Sequence, residues 1–137
     1  MTTDPSVLRS LAVSAEDLLA AMEADARGGP RTVLRVTPPF SGRMRARLHV
    51  VQTADDEGTI HIPPRSLLDD DAPAYPTPDE TADELRSRAE LDYSVDRHRE
   101  YHEERVDAWR SALLDHVVGS VTIDDADGEI GVSLLGP

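Results

Sequence analysis

Residues 43–50, RMRARLHV, alternate without a break, with Met44, Ala46, Leu48 and Val50 on one side and Arg43, Arg45, Arg47 and His49 on the other. A period of two sends successive side chains to opposite faces of an extended chain, so the segment predicts a strand with one apolar and one cationic face. Wound into a helix, the same residues would spread charge around the whole circumference and leave no face to bury. The preceding TVLRV, residues 32–36, is β-branched and compact, and PPFSG, residues 38–42, reads as the loop of a hairpin between the two strands. With Thr37 set against Arg43, Arg35 falls directly opposite Arg45. Like charges placed across a strand pair cost stability, so something has to offset them.

That cationic face is an exception in its own chain. The 137 residues carry 27 Asp and Glu against 14 basic residues, a formal net charge of −13. Yet no carboxylate occurs from Gly28 to Ala54, a window that holds Arg31, Arg35, Arg43, Arg45 and Arg47. Every basic residue is arginine, and Asp outnumbers Glu. This composition predicts a protein of a salt-saturated cytoplasm, where a dense carboxylate surface keeps chains hydrated and dispersed; GC-rich codon usage is the other source of such a bias. In molar salt the Debye length shrinks to ~3 Å, so only close, geometrically matched ion contacts survive.

The length suits one domain, expected here as a single α+β domain over residues 1–137 that buries roughly two thirds of its unfolded surface. Without cysteine, disulfides, thiolate metal sites and cysteine nucleophiles are excluded. No apolar run approaches the ~20 residues that cross a bilayer, and MTTDPSVLRS opens acidic, so a cytoplasmic protein with no membrane partner is expected.

Along the chain, Asp4 and Pro5 open a helical stripe of Val7, Leu11, Ala15, Leu18 and Met22, and Ser14 with Asp17 is a second capping pair, so the expectation is either one helix or a short turn and a longer helix. RGGP, residues 27–30, stops it. After the two strands, a turn at ADDEGT leads to a third, Thr59 to Ile62, with Ile60 and Ile62 inward and His61 outward. Residues 63–78 hold half of the prolines and read as an extended connecting strap pegged by Leu67, Leu68 and Tyr75. Thr77 and Pro78 start a helix expected to run to about Ala89, and Ser94 caps a longer one whose stripe is Val95, His98, His102, Val106, Trp109, Leu113 and Val117, stopped by Gly119. SVTIDDADGEIGVSLL, residues 120–135, closes as a hairpin on an Asp-Gly turn, with Val121, Ile123, Ile130, Val132 and Leu134 inward. The order α-β-β-β-α-α-β-β predicts a mostly antiparallel five-stranded sheet with helices packed on one face. Its open face would carry Arg35, Arg43, Arg45, Arg47, His49, His61, Thr122 and Ser133.

Guanidinium forks match carboxylates and phosphates, so this face, with Phe40 in the neighbouring loop, is the expected binding surface for an anionic partner. The acidic strap, Asp69 to Asp71, or an acidic helix would satisfy the same arginines from within. An acidic protein partner ranks first and nucleic acid second, because the face lacks the aromatic residues on which single-stranded bases stack. His98 and His102, four apart in HREYH, are the metal candidates. Arg99 stands where a metalloprotease helix has glutamate, and both histidines lie on the stripe of Val106 and Trp109, which favours packing. GxSxG and phosphate-loop signatures are absent, no cofactor is expected, and nothing singles out a catalytic pair of carboxylates. The reading is a non-enzymatic binding module; the alternative is a small metal-binding protein or hydrolase that joins the helix histidines to His49 or His61.

The lysine-free acidic composition, RVTPPFSGRMRARLHV, the YPTPDET helix start and RHREYH followed by Trp109 together resemble small acidic haloarchaeal proteins grouped under a domain of unknown function. The resemblance spans nearly the whole chain and implies no activity, cofactor or catalytic residue.

Overall fold

The computed structural model describes residues 2–52, 58–88 and 92–136. They form two compact units, Met1–Asp70 with Val117–Pro137, and Asp71–His116.

In the first unit Asp4 caps only a 3₁₀ turn, Pro5–Val7, its carboxylate accepting the Ser6 N–H at 3.0 Å. One continuous helix is not what forms; the expected alternative of a short turn and a separate helix holds, but the residues between them are not helical. Instead β1, Ser10–Ser14, runs extended with Leu11 and Val13 buried, because Leu11 fits a helical stripe with Ala15 and equally a strand face with Val13, and pairing on both edges decides between them. Ser14 then caps α1, Ala15–Ala26, accepting the Asp17 N–H at 3.0 Å. The helix closes on Arg27 ahead of Gly28, whose φ of 71° suits a residue without a Cβ.

The five-stranded antiparallel sheet is not what forms. Among the described residues there are two sheets, both in this unit. One has the order β3-β1-β7-β6 and the other β4-β2-β5, where β2 is Thr32–Val36, β3 Arg43–Arg45, β4 Arg47–Val50, β5 Ile60–Ile62, β6 Ser120–Thr122 and β7 Glu129–Leu135. β1 is parallel to both β3 and β7, whereas β2 is antiparallel to β4 and β5. The unbroken alternation of residues 43–50 is therefore shared out between sheets. β3 lies along β1, the Ala46 N–H still donates to the Ala12 carbonyl at 3.0 Å, and beyond that buried alanine the chain crosses to β2 as β4. The cross-strand partner of Arg35 is consequently Arg47, and the Arg35 to Arg45 pairing expected from a PPFSG hairpin is replaced. Phe40 is fully buried and bridges to Thr2 through both backbone groups, so it is a core residue and is removed from the expected binding surface.

α1 packs against β2 and β4, and Val33 on one face of β2 is almost wholly buried, as are Leu34 and Val36 on the other. At the outer edge of β4 the Leu48 N–H donates to the Asp17 carboxylate at 3.2 Å, which closes one exposed ladder position. The third strand starts at Ile60, and of the ADDEGT turn, residues 54–57 lie outside the described residues. The C-terminal hairpin forms on Gly128 at φ 85°, with Val121 opposite Ile130. Only Ile130 of its expected inward residues is fully buried, and Leu134 is exposed, because β7 outruns β6 and its last residues pair with β1 alone. Of the proline strap, Pro64–Leu67 is a 3₁₀ turn whose Leu67 and Leu68 are buried. Leu68 also bridges to Val117, which is extended here and not the last residue of a helical stripe.

In the second unit Thr77 caps α2, Pro78–Arg86, by accepting the Glu80 N–H at 3.2 Å. The helix closes at Ser87, and residues 89–91, where the sequence predicts its end, lie outside the described residues. Ser94 caps α3, Val95–Leu114, by accepting the Arg97 N–H at 3.1 Å. Trp109 is buried, donates its indole N–H to the Pro73 carbonyl at 3.0 Å and meets Tyr75 edge-on with centroids 4.9 Å apart. Among the described residues no helix is long and apolar enough to cross a membrane.

Candidate anion-binding groove

Across the three-stranded sheet, Arg47, Arg35 and His61 stand in one row, with His49 beside Val33 in the next position on the same face. The His49 and His61 ring centroids are 5.5 Å apart, on either side of the central strand. Arg43 and Arg45 belong to the other sheet, opposite Ser10 and Ala12 of β1. Thr122 and Ser133 also sit in that sheet, so the single polar face expected from the sequence is divided.

The break at Ala46 nonetheless returns Arg45 to the other two. Arg35, Arg45 and Arg47 line one groove of about 260 Å³ together with Thr37, Met44 and Leu48. Arg43 is exposed but is not among its lining residues. Thr37, Met44 and Leu48 are contributions that sequence reasoning missed. Thr37 directly follows β2, and the other two were assigned wholly to a buried face. Among the described residues, no ion pair or hydrogen bond engages the guanidinium groups of Arg35, Arg43, Arg45 or Arg47, although the Ser41 hydroxyl donates to the Arg43 carbonyl at 2.9 Å. The chemistry on offer is thus three planar cationic forks and a hydroxyl around a partly aliphatic depression. That set can donate paired N–H groups to carboxylate or phosphate oxygens, and its lining holds no carboxylate, imidazole or thiol.

The helix histidines are engaged otherwise. Thr81 on α2 is fully buried, and its hydroxyl lies 2.9 Å from both His98 Nε2 and His102 Nδ1 on α3. The same oxygen is within 3.3 Å of the Thr77 carbonyl and 3.2 Å of the Pro78 carbonyl, so the histidine pair secures one helix to the other. Among the described residues no group of three or more His, Asp or Glu is placed to hold a metal ion. One turn along, Glu84 accepts from the Tyr101 hydroxyl at 2.7 Å and from Arg105 Nε at 2.9 Å. The hydrogen bond from Arg105, and then that from Tyr101, hold the Glu84 carboxyl below its ordinary value, while the bond to Glu84 raises the Tyr101 phenol. This cluster also escaped sequence reasoning; its only signal is that Thr81 and Glu84 are three apart on α2, as His98 and Tyr101 are on α3.

No curated protein and no solved structure matches the chain. Residues 1–136 match the family model described as Domain of unknown function (DUF8009), and the chain belongs to that family.

Proposed function

We propose that the chain is a non-enzymatic binding module of a salt-rich cytoplasm that docks an acidic protein surface in the groove of Arg35, Arg45 and Arg47. The observation that carries this reading is the cross-strand pair of Arg35 and Arg47, with Arg45 in the same groove and no carboxylate of the described residues engaging any of them. A sheet that tolerates like charges side by side and leaves them unneutralised violates a local rule of stability, and such violations concentrate where a surface is kept for a ligand. The rest of the molecule supports the choice of anion. A polyanion as long as a nucleic acid would extend beyond the groove over a chain of net charge −13, whereas a protein side chain meets the arginines alone. The groove also lacks an aromatic residue on which a base would stack.

The test is titration of fluorescent poly-L-glutamate against the wild-type protein and the double variant Arg45→Glu, Arg47→Glu. The wild type binds, and the variant loses binding while its thermal midpoint is unchanged or higher. A variant that unfolds, or that binds as well as wild type, refutes the reading.

A further inference from the structure

We infer that the groove recognises a short linear segment in which a large aliphatic side chain is flanked by Asp or Glu. This rests on the groove being an anion-docking site, and it adds what an anion alone would not need. Leu48, one of the lining residues, is 40% exposed, and Val50, which follows it on the same face of the edge strand β4, is 44% exposed. Exposed leucines are ordinary when scattered over a surface. Here the leucine is set among three guanidinium groups, whose own hydrocarbon stems widen the apolar area around it.

The size of the depression limits the occupant. At about 260 Å³ it falls just below the roughly 300 Å³ at which pockets begin to enclose a drug-sized molecule, so it admits one or two side chains and not a folded surface. Charge complementarity limits the occupant further. Carboxylates on either side of the inserted residue would meet the Arg35 and Arg47 pair of β2 and β4 and Arg45 of β3, all of which line the groove, each guanidinium offering two parallel N–H donors to a carboxylate. A phosphodiester strand satisfies the arginines but brings nothing aliphatic to Leu48. An anionic bilayer does bring apolar chains, but it sets an extended negative plane against a chain with 27 carboxylates, and a concave site offers it no protruding wedge.

The experiment measures binding of two labelled pentapeptides, DELED and DESED, to the full chain by fluorescence anisotropy, with poly-L-glutamate and a single-stranded oligomer of thymidine as companions at the same salt. DELED is expected to bind at least about tenfold more tightly than DESED, as partial burial of one leucine side chain implies. Leu48→Ser should bring the two peptides to equal affinity, and Leu48→Met, which keeps the aliphatic volume and checks that the edge strand tolerates substitution, should retain the preference. If both peptides and poly-L-glutamate bind alike, the groove docks anions but the aliphatic requirement is wrong. If nothing acidic binds, the docking reading falls and takes this one with it. Tighter binding of the oligonucleotide than of DELED overturns the proposal in favour of a phosphate ligand.

Discussion

Replacing Arg47 by Glu should make the first unit more stable while destroying the anion-docking groove we propose. The Leu48 N–H points away from β2 to Asp17, so its neighbour Arg47 turns its own N–H and carbonyl toward Arg35, and the two form the hydrogen-bonded type of antiparallel pair with Cα atoms ~5.5 Å apart. Arg47 is exposed and Arg35 half-buried, and two guanidinium groups about 7 Å apart repel by about 0.6 kcal/mol at the dielectric of water, within the range of roughly 0.2–1 kcal/mol typical of same-face cross-strand pairs. Reversing one charge removes that repulsion and adds an attraction of similar size, a swing of about 1 kcal/mol. For a unit of this length the swing raises the unfolding midpoint by about 4 °C or a little more. The sole tryptophan lies in the other unit, so the assay is far-UV circular dichroism or amide exchange of β2 and β4, not tryptophan fluorescence. Arg47→Gln should give about half the gain, and the gain should fade in 1 M salt as the Debye length drops to ~3 Å. A loss of more than about 1 kcal/mol on charge reversal would refute the argument, because it would mean that the Arg47 guanidinium holds the fold together from within.

The second unit yields four further expectations. Trp109→Phe keeps the edge contact with Tyr75 but leaves the Pro73 carbonyl without its donor, and should cost about 1–3 kcal/mol in a denaturant titration followed by circular dichroism. Thr81→Val, nearly equal in volume, strands the His98 and His102 nitrogens that now share one hydroxyl, and should cost a similar ~1–3 kcal/mol, whereas Thr81→Ser should recover most of it. The folded pKa of Glu84 is depressed, so the stability it contributes is present above its ordinary value of 4.5 and is lost as pH falls through the folded value; acid titration of the α2 and α3 signal should show a limb below pH 4.5 that Glu84→Gln removes. Tyr101 is shifted upward, so its contribution is complete below its ordinary value of 10.0 and is lost as pH rises through the folded value, a limb that Tyr101→Phe should abolish.

The helices were legible because their signals are local. Ser14, Thr77 and Ser94 each sit three residues ahead of the N–H they cap, a spacing that needs no knowledge of the rest of the chain. The sheets were not legible to the same degree, because a strand announces its faces but not its neighbours. Leu11 reads as part of a helical stripe until β3 and β7 are set on either side of it, and neither partner is near in sequence. The parallel pairing of β1 with β7 joins residues more than a hundred positions apart, beyond the reach of any window of periodicity.

The groove follows from the same asymmetry between faces and neighbours. Alternation correctly set Arg35, Arg47, His49 and His61 on one side of their strands, since that depends only on the pleat. It could not reveal that the run changes sheets at Ala46, where a small side chain fits the buried crossing from β1 to β2. A continuous strand would have laid Arg43, Arg45 and Arg47 out as an open row, each separated from the next by the rise of two residues. The break instead bends the row back on itself and turns a flat cationic stripe into a concavity with arginines from three strands around it. Filling that crossing, for example by Ala46→Leu, should therefore weaken binding of an acidic ligand without touching a single charge.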